Sequence, residues 1–138
     1  MLKTRYSLSL SVLLVLCFIS FYYVFGSESD AENCRLFLKN YGWETQITPD
    51  DSSEITIPAI FDAVYTNYNE LQKIAGLDLL PYRGKNGTRY TFIVTNYPLD
   101  IPQTVYANVI CIDGVPVGGD IMTANLDGFM HAVSENTP

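Results

Sequence analysis

Three aspartates, one histidine and two thiols carry most of the chemistry this sequence could perform. His131 is the sole histidine of the 138-residue chain, so a conventional proton shuttle near neutral pH would have to use it. Asp113, Asp120 and Asp127 precede it, and Cys111 lies just upstream. A Cys/His/Asp hydrolase needs a thiolate in a partly exposed, electropositive setting. Cys111 instead sits in an apolar, strand-like run of an acidic domain, which makes it a poor nucleophile. The aspartates and His131 match neither a calcium loop nor a zinc helix in spacing, and the pair Gly118-Gly119 before Asp120 lacks the lysine and following helix of a phosphate-cradling loop. No cofactor and no metal is therefore expected. Gly118-Gly119 reads as a place where backbone bulges or is closely approached, and Gly119, Asp120 and His131 are the candidate binding residues, with Phe129 beside them.

These residues need a scaffold, and the sequence divides into two parts. The net charge is −7, yet all fifteen Asp and Glu lie beyond residue 26. Residues 27–138 hold six of the eight Lys and Arg, a net charge of about −9. That acidity excludes nucleic acid as a partner, because phosphate binding needs clustered basic side chains. Residues 6–25 form twenty uncharged residues, about 30 Å as a helix, which matches the hydrocarbon core of a bilayer. Lys3 and Arg5 precede the run while Glu28, Asp30 and Glu32 follow it. The charge bias places the N-terminus in the cytoplasm and the acidic domain outside, with Tyr22 and Tyr23 near the outer headgroups. The expectation is a retained membrane anchor over 1–26 and an extracytoplasmic domain over 27–138, secreted if the leader is cleaved. The run is longer than a usual signal-peptide core, and Val24-Phe25-Gly26 makes a poor cleavage site.

Within the exported part, Ser29-x-x-Glu32 has capping-box spacing. Cys34, Phe37, Leu38 and Tyr41 follow at helical intervals until Gly42, which predicts a first helix with Cys34 facing inward. Residues 43–48 and 54–57 are strand-like runs separated by a turn over 49–53. A second helix is expected to start around Pro58 and run to Ala75. It would bury Ile60, Phe61, Val64, Tyr68, Leu71 and Ala75, and expose Asp62, Asn69, Glu70 and Lys73. The basic loop Arg83-Gly84-Lys85-Asn86-Gly87 reads as a solvated turn. Period-two alternation predicts strands over 88–95, 105–112 and 115–122, the last two joined by an Asp113-Gly114 type I′ turn. Pro116 favours an edge position for the last strand, with a bulge near Gly118-Gly119. Residues 128–133 read as a closing helix or turn. The order implies an α+β domain with two main helices on one face of a mainly antiparallel sheet ending in a three-stranded meander. In this arrangement Cys34 and Cys111 have compatible orientations, and an exported domain would allow a disulfide between them; the alternative is two separate buried thiols.

Gly42-Trp43-Glu44, Ile57-Pro58, Tyr65-x-x-Tyr68-Asn69-x-x-Gln72, Arg89-Tyr90-Thr91, Asn96-Tyr97-Pro98, Gly118-Gly119-Asp120 and Gly128-Phe129-Met130-His131 form a pattern. Together they resemble an uncharacterised domain-of-unknown-function family of small exported or membrane-anchored proteins from clostridia and related Gram-positive bacteria. The resemblance covers about residues 32–133 and implies an envelope location. It brings no established activity, substrate or cofactor, and Cys34 and Cys111 are not part of the pattern.

The function expected is a membrane-tethered, extracytoplasmic and non-enzymatic module. It would meet the bilayer through residues 6–25 and bind an unknown envelope protein or small ligand. A small cell-envelope hydrolase or metal-dependent enzyme using Asp120 and His131 is the alternative, and a subunit of a larger envelope assembly is a third reading.

Overall fold

A computed structural model describes residues 3–136, the side chains of residues 3–10 and 21–29 excepted. The first element, α1, is one uninterrupted helix over Lys3–Asn40, 38 residues and about 57 Å long. The sequence predicts a separate helix capped at Ser29; the structure corrects this. Backbone already helical upstream supplies carbonyls for the amides that Ser29 would have capped. Glu32 instead holds Arg35 at 2.6 Å on the helix surface. The side chains described over 11–20 are exposed, among them Val12, Leu13, Leu14, Val15, Leu16, Phe18 and Ile19. No helix among the described residues is long and apolar enough to cross a membrane. The remainder of the 6–25 run, including Tyr22 and Tyr23, lies outside the described side chains.

The chain then forms β1 (Asp51–Thr56), α2 (Ala63–Ile74), a 3-10 turn at Leu80–Tyr82, β2 (Asn86–Ile93), β3 (Val105–Ile112), β4 (Val115–Thr123) and β5 (Met130–Ala132). The strands make one antiparallel sheet in the order β1-β2-β3-β4-β5. An α+β fold and the meander are thus present. The Asp113-Gly114 turn has the two positive φ angles that a type I′ hairpin requires.

Several expectations are corrected. Asp51, Ser52 and Ser53 belong to β1 rather than to a turn, because an edge strand exposed to water accepts polar side chains. Residues 43–48 run beside β2 with a single bridge, Thr45 to Val94. The second helix begins at Ala63, since the Asp62 side chain accepts from the amide of Tyr65 at 2.7 Å and caps it there. Ile60 and Val64 are consequently exposed, and Asn69 and Gln72 are buried in place of apolar side chains. Asn69 is drawn inward because it accepts from the Leu79 amide at 2.7 Å and donates to Asp78 at 2.9 Å, pinning the turn after α2. Residues 130–132 form a strand, so β4 is not the edge along its whole length. β5 covers only Asp120 to Met122, however, and Pro116 lies on the uncovered stretch. The register shift falls opposite Val117, immediately before Gly118.

The two helices do not share a face. Side chains alternate along a strand, so Tyr90, Phe92, Ala107, Val109, Cys111 and Ile121 point one way, and the C-terminal part of α1 covers them with Cys34 and Leu38. Ile110, Ile112 and Val117 point the other way, against Ile57, Leu79 and the α2 residues Tyr65 and Tyr68. The paired glycines record this division. A Cβ on Gly118 would meet Leu79 and Gln72, while one on Gly119 would meet Phe37 of α1. Antiparallel order alone would have allowed one covered face; the apolar residues present on both faces of β3 require two.

Candidate functional site

Asp120 and His131 are adjacent in the sheet, yet the register separates them. Asp120 pairs with Ala132, and His131 pairs with Ile121. Successive side chains leave a strand on opposite faces, so Asp120 points toward α2 and His131 toward the face that α1 covers.

Asp120 is 2 % exposed. Its Oδ2 accepts from the Tyr68 hydroxyl at 2.8 Å, and its Oδ1 accepts from the Asn108 amide at 2.9 Å. Asn108 in turn accepts from the Thr91 hydroxyl at 2.7 Å. Burial pushes the Asp120 carboxyl above the ordinary aspartate value, partly offset by these hydrogen bonds and by the charges of Arg89 and His131. Burial, reinforced by Asp120, also pushes the Tyr68 phenol up. This is a sealed chain of polar groups beneath α2.

His131 is 4 % exposed and sits in an aromatic stack. Its ring lies 5.4 Å from Phe129 at 15°, Phe129 stacks on Tyr97 at 5.4 Å, and Tyr97 stacks on Trp43 at 5.9 Å. The carbonyl of Ala132, 3.0 Å from Nδ1, can only accept, which assigns a proton to Nδ1. Nε2 lies 3.3 Å from the Tyr97 hydroxyl, within hydrogen-bonding reach. The stack fastens the 95–101 loop and the segment before β5 to the core, and the Trp43 indole donates to the Val133 carbonyl at 2.7 Å.

Gly119 is buried as well. It lies on the stretch of β4 that β5 leaves uncovered, and Gln72 Oε1 accepts from its amide at 2.7 Å. Gly119, Asp120 and His131 are therefore all buried, Asp120 and His131 leave the sheet on opposite faces, and each makes a different contact. Asp127 lies in the exposed connection before β5 and joins neither.

Concave, solvent-open space lies elsewhere. A groove of about 710 Å³ is bounded by Asp30 of α1, by Glu54, Ile55 and Thr56 of β1, by Asn86, Gly87 and Thr88 of β2, and by Cys111, Asp113 and Gly114 at the β3–β4 turn. Its size is that of a small-ligand site. The hairpin turn is held against the helix, with Asn33 donating to the Gly114 carbonyl at 3.1 Å. Gly87 lets β2 approach β3, since a Cβ there would lie 2.5 Å from the Cys111 carbonyl oxygen. Sequence reasoning missed this groove because its walls come from four separated segments. The turn at Asp113-Gly114 was visible; its seat on α1 was not. Among the described residues no group of three His, Cys, Asp or Glu is placed to hold a metal ion.

Cys34 and Cys111 are brought together. Both are buried free thiols, one on α1 and one on β3, packed in the same core cluster and close enough to influence each other. Proximity to Cys111, together with burial, pushes the Cys34 thiol well above the ordinary thiol range.

Comparison with curated proteins finds no match, and comparison with solved structures finds none. Residues 37–121 match the family described as Domain of unknown function (DUF4830), a span from the end of α1 into β4 and more than half of the chain. The chain belongs to this uncharacterised family.

Proposed function

We propose that this protein is a non-enzymatic binding module that takes a small polar ligand in the groove between α1 and the β1–β3 edge of the sheet. The observation that carries the reading is the groove itself, an open concavity whose walls are mostly polar and include three carboxylates, from Asp30, Glu54 and Asp113. The net charge of −7 further disfavours anionic ligands. Titration of the full chain with 1,5-diaminopentane, followed by amide chemical shifts, tests it. Shifts should concentrate at residues 30, 54, 86–88 and 113–114, and Glu54→Gln with Asp30→Asn should weaken them about tenfold or more while leaving the melting temperature near that of the parent. Uniform or absent shifts would remove the reading.

The module is held at a membrane by the first half of α1, with the sheet on the outer side. Support comes from the uncharged run over 6–25, from the charge step across it, and from the exposed apolar side chains between Val12 and Ile19. In cells, the full chain should sediment with membranes, resist carbonate extraction, and lose its C-terminal domain to protease added outside. Recovery of intact chain from the cytosolic supernatant would overturn the tether.

A further inference from the structure

Glu54, Thr88 and Cys111 stand directly opposite one another on β1, β2 and β3, so all three side chains project from the face that α1 covers. On α1, Asp30 and Cys34 are one turn apart and share a helix face. The groove opens between these two rows. Cys111 lines it, whereas Cys34 is fully buried behind Cys111. Two thiols far apart in sequence thus meet at the wall of a solvent-filled concavity, one in front and one behind. A reagent in the groove therefore meets Cys111 first, and Cys34 only through it.

We propose that Cys34 and Cys111 form a two-electron redox site, in which Cys111 attacks a low-molecular-weight disulfide entering the groove and Cys34 resolves the mixed disulfide. In the first step the Cys111 thiol gives its proton to water, and its sulfur attacks one sulfur of RS–SR. A Cys111–SR bond forms, the S–S bond of the reagent breaks, and the departing thiolate takes up a proton. Cys34 then deprotonates and attacks the Cys111 sulfur, expelling the second RS group as a thiol. In sum, two protein thiols and one small disulfide become one protein disulfide, joining α1 to β3, and two small thiols. Cys111 is 3 % exposed at the wall of the groove, a position that a reagent sized to the groove approaches more closely than a disulfide carried on another protein. The carboxylates of Asp30, Glu54 and Asp113 select a cationic disulfide over an anionic one. The inference rests on the groove of the proposed function and is independent of the membrane tether.

The test uses the reduced full chain carrying Cys17→Ser, which leaves only the two thiols in question. It is exposed to cystamine or to oxidised glutathione, quenched with acid, alkylated and mapped by mass spectrometry. Cysteamine should appear first on Cys111, followed by the Cys34–Cys111 disulfide, and cystamine should react about tenfold or more faster than oxidised glutathione at low salt. Cys34→Ser should stop at the Cys111 adduct, and Cys111→Ser should react about tenfold or more slowly. The order of labelling in the parent needs neither variant, so misfolding of a variant does not remove the test. A first adduct on Cys34, or two thiols that stay reduced in the native chain while the denatured chain oxidises, would overturn the redox site. Glutathione reacting as fast as cystamine would overturn the charge selection. Localised binding of 1,5-diaminopentane by a chain that stays reduced would sink the redox site and spare the groove, and disulfide formation without diamine binding would do the reverse.

Discussion

Asp120 and His131 occupy neighbouring positions across β4 and β5, and their side chains leave the sheet on opposite faces. Nearness in sequence and in the sheet thus brings the carboxylate and the imidazole into no common site. Asp120 is the acceptor on which the Tyr68 hydroxyl and the Asn108 amide converge. Asp120→Ala should destabilise the fold by about 3 kcal/mol in urea unfolding, because two buried donors lose their acceptor. Asp120→Asn should cost only about 1 kcal/mol, since the Asn108 amide can turn over and reverse the direction of its bonds.

The same carboxyl sets a pH dependence. Its folded value lies above its unfolded value because burial disfavours the charged form. The folded state therefore binds the proton more tightly, and this contribution is complete below the unfolded aspartate value and is lost as pH rises through the folded one. Glu32 and Asp78, held down by hydrogen bonds from Arg35 and from Asn69, act in the opposite sense, but they are common to both chains. The stability of Asp120→Asn relative to the parent should accordingly increase as pH rises from the ordinary aspartate value toward neutrality. A difference that stays flat between pH of about 4 and about 7 would count against a raised carboxyl.

Gly87 has a different kind of necessity. A methyl group there would sit 2.5 Å from the Cys111 carbonyl oxygen and 2.8 Å from the Ile112 side chain, and the first of these is backbone that cannot rotate away. Gly87→Ala should lower stability by about 2 kcal/mol or more and separate β2 from β3 at one wall of the groove. Thermal unfolding with exchange of the neighbouring amides measures both effects.

Trp43→Phe isolates the indole hydrogen bond from the aromatic stack. Phenylalanine can still lie against Tyr97, but the buried Val133 carbonyl loses its donor. A loss of about 2 kcal/mol is expected in denaturant unfolding, with slower proteolysis elsewhere than in the segment after β5.

What could be read from residues alone follows from how local the determining forces are. The β3–β4 hairpin was legible because alternation and an Asp-Gly turn are properties of a few adjacent residues. The burial of Asn69 was not, since a polar residue on a helix looks solvated until the distant Leu79 amide that it satisfies is known. Two-sided coverage of the sheet was hidden for a related reason. Ile110 and Ile112 alternate with Val109 and Cys111, and an apolar run on both faces shows that two layers are needed without showing which helix supplies each. Asp120 and His131 drew notice for their chemistry, whereas the groove depends on strand register and on the seat of one turn against α1.

The unit that folds is larger than the span by which the family is recognised. That span begins at residue 37 and ends at 121, but Cys34 closes the core from above, Asn33 clasps the hairpin, and Val133 receives the indole proton of Trp43. A fragment trimmed to the matched segment would lose part of its lid and its final strand. Shortened versions intended for crystals or binding assays should keep the chain from before Asp30, which borders the groove, through Glu135, whose carboxylate accepts from the Ala132 amide.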